Sequence, residues 1–280
     1  MNSTPPKIYG LIGYPVKHSF SPLMHNAAFR ALKINAEYKL FPLKQQDLEG
    51  FLKNLGKNNI YGLNITVPYK EIVMPFLNKV SCEAKLISAV NTIKVIDDKL
   101  GGFNTDGAGF LKHLTKDLGF SPRGKSIAII GAGGASRAIS VYLSYKKPNR
   151  ISIYDIDKAK AKILVIHLKK HFKNIEFKQA NSIEELNISS CNLLINATPI
   201  GMKKTDLCLV DEKFIHKNLL VYDLIYNPRE TRLLEIAKGK GAEISNGLGM
   251  LLYQGMLSFE IWTGKGAPKE VMQKALLKAL

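Results

Sequence analysis

The chain has 280 residues and is 46% hydrophobic, enough to bury more than one core, so two globular domains are expected. Its 40 basic residues against 23 acidic ones give a formal charge of +17; the basic residues are mostly lysines strewn along helices, not Arg and Lys gathered with aromatics on one element, which argues against a nucleic-acid partner. No apolar run approaches the roughly 18 residues that span a bilayer, and Met1 to Pro6 shows neither the charged nor the apolar region of a signal peptide, so a cytoplasmic protein with no membrane partner is expected.

The first third alternates strand-like runs with amphipathic helices: Ile8 to Gly13, Leu23 to Leu32, Tyr38 to Phe41, Leu48 to Leu55 and Gly62 to Val67. Asn91 to Ile96, the turn Asp97-Asp98-Lys99 and Leu100 to Phe103 read as a hairpin leading into a helix from Gly107 to Leu118. Ser121-Pro122-Arg123-Gly124 then breaks the chain. A second α/β series has strands at Ser126 to Ile130, Ile151 to Tyr154, Leu193 to Asn196 and Leu220 to Leu224, separated by helices in a doubly wound order. After Gly247 the chain is helical, with Met250, Leu251, Met256, Leu257 and Ile261 in need of a covering surface, expected to be the first domain. Cys82, Cys191 and Cys208 form neither a CxxC pair nor a disulfide framework, suit a reducing compartment, and read as packing residues.

The second series opens with a nucleotide-binding signature. A buried-strand run ends at Ile130 and feeds Gly131-Ala132-Gly133-Gly134-Ala135-Ser136, with a helix expected near Arg137. Gly131 permits the tight turn, Gly133 leaves room for backbone N–H groups to approach a pyrophosphate, and the helix N-terminus offers its positive end. Asp155 closes the second strand at about the spacing of a ribose-binding acid, roughly 20 residues beyond the first glycine. Either Asp155 or Asp157 could instead cap the helix starting near Lys158.

In Leu63-Asn64-Ile65-Thr66-Val67 the alternation puts Asn64 and Thr66 on one face of a strand, and Leu63, Ile65 and Val67 on the other. Lys70 follows Pro68 at the expected start of the next helix, where the macrodipole disfavours a cation, which invites a functional reason. Asp106 is its natural partner, although an Asp before a helix is also an ordinary N-cap. Ser21 before Pro22 is equally explained as a cap with proline at N1; Ser19 has no such explanation.

These stretches together resemble the shikimate dehydrogenase family over essentially the whole chain. The matching motifs are Gly10 to Pro15 with Ser19-Phe20-Ser21-Pro22, Asn64-Ile65-Thr66-Val67-Pro68-Tyr69-Lys70, Ala89-Val90-Asn91-Thr92, Asn104-Thr105-Asp106-Gly107, Gly131 to Arg137, Asn196-Ala197-Thr198-Pro199, and Gly247-Leu248-Gly249-Met250 with Gln254. The resemblance implies an α/β fold of two domains: residues 1–106 with 248–280 form a substrate-binding catalytic domain completed by C-terminal helices. Residues 107–247 form an inserted Rossmann domain, and a cleft closes over both ligands.

By the same resemblance, Lys70 and Asp106 are a catalytic pair, as loss of hydride from a carbinol carbon requires the hydroxyl proton to be handed on. Ser19 and Ser21 hold the substrate carboxylate, and Asn64, Thr66, Asn91, Tyr226 and Gln254 hold ring hydroxyls. The dinucleotide falls to Gly131, Ala132, Gly133, Gly134, Ala135 and Asp155, with Thr198, Ile225, Gly247 and Met250 around the nicotinamide. The implied reaction is the reversible NAD(P)-dependent reduction of 3-dehydroshikimate to shikimate, on the way to chorismate and the aromatic amino acids. A dual quinate and shikimate dehydrogenase is the rival reading, and a non-catalytic nucleotide-sensing module a more distant one. Quinate-using members often carry Thr or Gly at the second serine position, so Ser21 favours shikimate. Many NADP-using members have Asn-Arg-Thr after the second Rossmann strand; here the residues are Asp155-Ile156-Asp157, and an acid there repels a 2′-phosphate, so NAD is the expected cofactor over NADP.

No metal is expected. His167 and His171 have i, i+4 spacing, but no third ligand is evident, and a solvated basic face explains them. His18 and His25 flank the serine motif and read as bystanders as well as they read as substrate contacts. The expected partners are small molecules, with the chain acting as a monomer or homodimer.

Overall fold

The computed structural model describes residues 4–203 and 205–279; Met1 to Ser3 of the Met1–Pro6 segment read above lie outside the described residues. The chain divides into two compact units, one running to Gly109 and resuming at Leu251, the other Phe110–Met250.

In the first unit the chain forms β1 (Lys7–Gly13), α1 (Ser21–Ala31), β2 (Ala36–Pro42), α2 (Leu48–Lys53), β3 (Ile60–Ile65), β4 (Lys79–Val80), α3 (Cys82–Ile87), β5 (Thr92–Ile96), β6 (Lys99–Phe103) and α4 (Asp106–Lys112). The strands make one mixed sheet in the order β2-β1-β3-β5-β6-β4. β1 lies parallel to β2 and β3, whereas β5 runs antiparallel to β3 and to β6. The expected hairpin is present: Asp97 and Asp98 have φ of 47° and 57° between β5 and β6, the two positive values that a type I′ turn requires. Register sets Asn64 of β3 opposite Thr92 of β5, which brings polar side chains from separate motifs together. Ile12, Leu63, Ile65, Val90 and Ile93 are among the residues of the core beneath.

Three expectations fail here. Val67 does not pack with Leu63 and Ile65: β3 ends at Ile65, and Val67 is 69% exposed. Lys70 does not start a helix. Its carbonyl accepts Val90 N–H at 2.8 Å instead of a helical donor, and Pro75, which has no N–H to give, lies in a 3-10 turn at Met74–Phe76. The macrodipole argument about Lys70 therefore has no helix to rest on. The helix from Asp106 is α-helical only to Lys112, and a π-helical turn, His113–Asp117, continues it.

The second unit contains β7 (Ser126–Ile130), α5 (Gly134–Ser144), β8 (Arg150–Tyr154), α6 (Lys158–His171), β9 (Glu176–Gln179), β10 (Leu193–Asn196), β11 (Leu220–Asp223), α7 (Arg232–Gly239) and β12 (Glu243–Ser245). All strands are parallel, in the order β12-β11-β10-β7-β8-β9. This is the doubly wound Rossmann order, with its topological switch between β7 and β10, where such sheets bind ligands beyond the strand C-termini. The crossover from β10 to β11 carries only a 3-10 turn among the described residues, not the expected helix. Asp206 takes the N–H groups of Gly201 and Lys203 and so holds that stretch in a turn. α5 starts at Gly134, earlier than the Arg137 of the sequence reading.

The C-terminal helices are α8 (Leu248–Thr263) and α9 (Lys269–Leu277). From Leu251 onward α8 covers the first sheet: Trp262 Nε1 donates to Ile93 O at 2.8 Å, and the Phe259 ring lies 5.4 Å from that of Phe29. Among the cysteines, Cys191 is buried and Cys208 half-buried against the second core, but Cys82 is exposed at the start of α3 and is no packing residue. No helix among the described residues is long and apolar enough to cross a membrane.

Candidate functional site

The first unit brings one lysine and one aspartate into contact in a largely buried place. Lys70 Nζ lies 2.6 Å from Asp106 Oδ2, with side-chain exposures of 13% and 6%. The other carboxylate oxygen, Oδ1, accepts from Asn91 Nδ2 at 2.8 Å. Neither oxygen receives a helical N–H; the amide of Asp106 itself bonds Asn104 Oδ1 at 3.0 Å. The capping explanation of Asp106 is thereby removed, because the group that would cap is engaged sideways by Lys70 and Asn91.

Asn91 is oriented by its neighbours. Its Oδ1 accepts Thr105 N–H at 2.8 Å, a donor that cannot be exchanged for an acceptor, so its amide nitrogen must face Asp106. The same nitrogen reaches Gln254 Oε1 at 3.3 Å. Asn64 is fixed in the same way, its Nδ2 donating to Asn91 O at 3.1 Å and its Oδ1 accepting Tyr38 O–H at 2.8 Å. Asn64 is thus buried and fully engaged with protein, whereas Thr66 lies just past β3, half-buried, its N–H bonded to Ile12 O.

Ser19 and Ser21 stand with their hydroxyls 3.2 Å apart. The capping assignment reverses the expectation: Ser21 is the first residue of α1 and its side chain caps nothing, while Ser19 Oγ accepts Ser21 N–H at 3.2 Å. A serine placed before the first turn can reach the free N–H groups there; one inside the turn points away from them. Of the two neighbouring histidines, His18 is exposed and His25 buried. His25 stacks on Tyr38 at 4.4 Å, and burial holds its pKa down to about 3.

In the second unit the residues expected at the dinucleotide all follow strand C-termini. Gly131 has φ of +106° and a Cβ there would sit 2.9 Å from Ala197 O, so the turn after β7 admits only glycine. Gly133 is the N-cap of α5, with open space where a Cβ would project, and Ala135 follows Gly134 in the first helical turn. Ser136, also in that turn, has a fully buried hydroxyl without a hydrogen-bond partner. Free first-turn N–H groups, room over Gly133 and an unpaired hydroxyl fit the anionic bridge of a dinucleotide.

Asp155 Oδ2 accepts Ala132 N–H at 2.7 Å and Oδ1 accepts Asp157 N–H at 2.8 Å. The helix α6 is capped by Asp157, which accepts from Ala159 and Lys160, so Asp155 is a latch on the glycine loop and Asp157 the cap. Thr198 bonds Asn196 Oδ1 through both its N–H and its hydroxyl. Ile225 N–H bonds Asp223 Oδ1, and Gly247 N–H bonds Ile225 O. A Cβ on Gly247 would collide with Leu224 O, so that position too is closed to other residues. Met250 is buried, and Tyr226 half-buried in the same unit. Asp223 is buried among Asn196, Ile225 and Thr231, and desolvation raises its pKa.

Sequence reasoning missed Tyr38, Thr92, Thr105 and Ser258, all buried around Asn64 and Asn91. Thr92 and Thr105 were inside the matched motifs; Ser258, one helical turn beyond Gln254, was the signal available for the fourth. The rings of His167 and His171 lie 4.7 Å apart and tilted at 49°, and no group of three or more His, Cys, Asp or Glu among the described residues is placed to hold a metal.

A Rossmann sheet and a buried lysine–carboxylate pair in one chain are the parts of a dinucleotide-dependent oxidoreductase. Comparison with known proteins gives the family. The shikimate dehydrogenase substrate binding domain matches residues 11–93, and the shikimate 5'-dehydrogenase C-terminal domain matches residues 247–277. A shikimate dehydrogenase (NADP(+)) of Methanopyrus kandleri is 43% identical over 277 residues, covering 98% of this chain and 96% of its own. A crystal structure of a shikimate dehydrogenase in complex with NADP+ is 38% identical, with a TM-score of 0.90 over 98% of this chain and 95% of that one. The Listeria monocytogenes shikimate 5-dehydrogenase, in complex with shikimate and NAD, is 34% identical with a TM-score of 0.87 over 97% and 96%. The chain belongs to the shikimate dehydrogenase family.

Proposed function

We propose that the chain catalyses the reversible, nicotinamide-dependent interconversion of 3-dehydroshikimate and shikimate. The observation that carries this reading is the Lys70–Asp106 contact, 2.6 Å long and braced by Asn91. In the oxidation direction the carbinol C–H bond breaks with its electron pair, the O–H proton departs to a base, and a carbonyl forms. Lys70 is the more exposed member of the pair, so its Nζ meets the substrate oxygen, and Asp106 orients it and balances its charge. Ser19 and Ser21, with hydroxyls 3.2 Å apart, are assigned to the substrate carboxylate, and Thr66, Asn91, Tyr226 and Gln254 to ring hydroxyls. Asn64 is assigned to a ring hydroxyl with them, and its amide, bonded to Tyr38, Asn91 and Ser258, also holds Asn91 in place.

The nicotinamide supplies the hydride acceptor when bound. On this chain Gly131 to Ala135 and the N-terminus of α5 would hold its pyrophosphate, with Thr198, Ile225, Gly247 and Met250 toward the ring. The expectation of NAD rested on Asp155 as an acid that bonds the free ribose hydroxyl and repels a 2′-phosphate. Both its oxygens are bonded to loop N–H groups, the Methanopyrus relative is named for NADP(+), and the sequence argument for NAD loses its support. We take NADP as the cofactor. The free thiols of Cys82, Cys191 and Cys208 suit the cytoplasm, and the partners are small molecules, with the chain a monomer or homodimer.

The test is a spectrophotometric assay of nicotinamide reduction that crosses shikimate and quinate with NAD and NADP. Turnover of shikimate with NADP supports the reading. Turnover of quinate alone, or of neither acid, would refute it.

A further inference from the structure

Beyond the pair itself, the first unit contains a buried chain of hydrogen bonds that starts on β2 and ends at Asp106. Tyr38 O–H donates to Asn64 Oδ1 at 2.8 Å, and Asn64 Nδ2 lies 2.9 Å from Ser258 Oγ. Ser258 Oγ is 2.8 Å from Thr92 Oγ1 and 3.2 Å from Thr105 Oγ1. Thr92 O–H donates to Asn91 Oδ1 at 2.9 Å, and Asn91 Nδ2 donates to Asp106 Oδ1 at 2.8 Å. Ser258 is fully buried, and it is the only member of the chain contributed by α8.

The direction of the donors follows from the atoms that have no choice. Asn64 Nδ2 must face Asn91 O, which accepts only; its remaining hydrogen points at Ser258. Asn91 Oδ1 must face Thr105 N–H, which donates only. A hydroxyl at Ser258 can accept from Asn64 and donate onward to Thr92, or back to Gln254 O at 3.0 Å. An alanine there would leave the Asn64 amide hydrogen only its longer contact to Thr92 Oγ1 at 3.2 Å and remove a partner from Thr92, in a place where water is excluded.

We infer that Ser258 is a positioning residue for the Lys70–Asp106 pair, keeping Asn91 aimed at the Asp106 carboxylate. It touches neither the reacting atoms nor Lys70. Its influence passes through Thr92, Asn64 and Asn91, and it accounts for a second buried polar side chain on α8, one turn beyond Gln254. The inference rests on the dehydrogenase reading only for its kinetic arm.

The experiment compares the wild-type enzyme with Ser258→Ala and Ser258→Thr. Expected for Ser258→Ala is a fall in kcat on the order of tenfold, as misplacement of a reacting group by a fraction of an ångström produces, with KM for shikimate within about twofold. Ser258→Thr keeps the hydroxyl and recovers most of kcat. In parallel, hydrogen exchange of the Asn91 side-chain amide is followed by NMR without substrate; it is slow in wild type and in Ser258→Thr and faster in Ser258→Ala. A Ser258→Ala enzyme with unchanged kcat and unchanged Asn91 exchange, whatever its melting temperature, overturns the inference. If the wild type fails to oxidise shikimate, the functional reading falls, and the Asn91 exchange still decides this one.

Discussion

Asp106 divides its carboxylate between two partners, Lys70 Nζ on Oδ2 at 2.6 Å and Asn91 Nδ2 on Oδ1 at 2.8 Å. A capping aspartate spends its oxygens on the N–H groups of its own helix. This one spends them on residues 36 and 15 positions away in the chain, so substitution of Asp106 and of Lys70 is expected to cost turnover first and stability second.

Lys70→Ala lowers kcat roughly a hundredfold or more, the usual scale for losing a general acid–base group. The cofactor dissociation constant stays within a few fold, because the glycine loop lies in the other unit. Asp106→Asn behaves alike: the amide cannot balance an ammonium. Steady-state kinetics with cofactor titration by fluorescence checks both, and near-normal kcat in either variant would remove the pair from the mechanism.

Ser21→Ala raises KM for shikimate about tenfold or more, since a hydrogen bond to a charged group is worth roughly 1.5–3 kcal/mol. Its melting temperature hardly changes, for the hydroxyl caps nothing in α1. A fall of several degrees with KM unaltered would return Ser21 to a structural role. Ser19→Ala is expected to raise KM and also lower the melting temperature, as its hydroxyl also takes the Ser21 N–H.

Asp155→Asn distinguishes a latch from a ribose ligand. As a latch on Ala132 and Asp157, it weakens both cofactors by similar factors when replaced, and the wild type prefers NADP. The ratio of kcat/KM values for NADP and NAD, measured in both proteins, is the readout. A wild type that prefers NAD, with the preference lost in Asp155→Asn, would restore the ribose assignment.

His25 should make the fold acid-sensitive. Burial holds its pKa near 3 against 6.5 for a free imidazole, so between those values the unfolded chain binds a proton that the native state refuses. Stability from this group is complete above pH 6.5 and declines as pH falls toward 3, by up to about 1.4 kcal/mol per pH unit. Urea unfolding of wild type and His25→Phe along that range checks the sign. The phenylalanine keeps the stack on Tyr38 and flattens the slope relative to wild type; equal slopes would mean that His25 is protonated in the native state.

The sequence by itself determined the central strands, the glycine loop and the Rossmann series, because these depend on local periodicity and glycine placement; the edge strands β4, β9 and β12, short and without a clear apolar pattern, escaped it. It also indicated Lys70, Asp106 and Asn91 through short motifs. Where it erred, distance along the chain was the reason. The reading of Lys70 as a helix start failed because its carbonyl is taken by Val90, and that of Ser21 as a cap failed by one residue, since Phe20 is the N-cap position and Ser21 the first residue of α1. That Asp155 also takes the Ala132 N–H of the glycine loop could not be read locally, because the two lie 23 residues apart. For Ser258 the sequence held only its place one turn beyond Gln254: its partners Asn64 and Thr92 lie 194 and 166 residues away, and only the packing of α8 on the sheet decides that one serine completes a buried chain of donors.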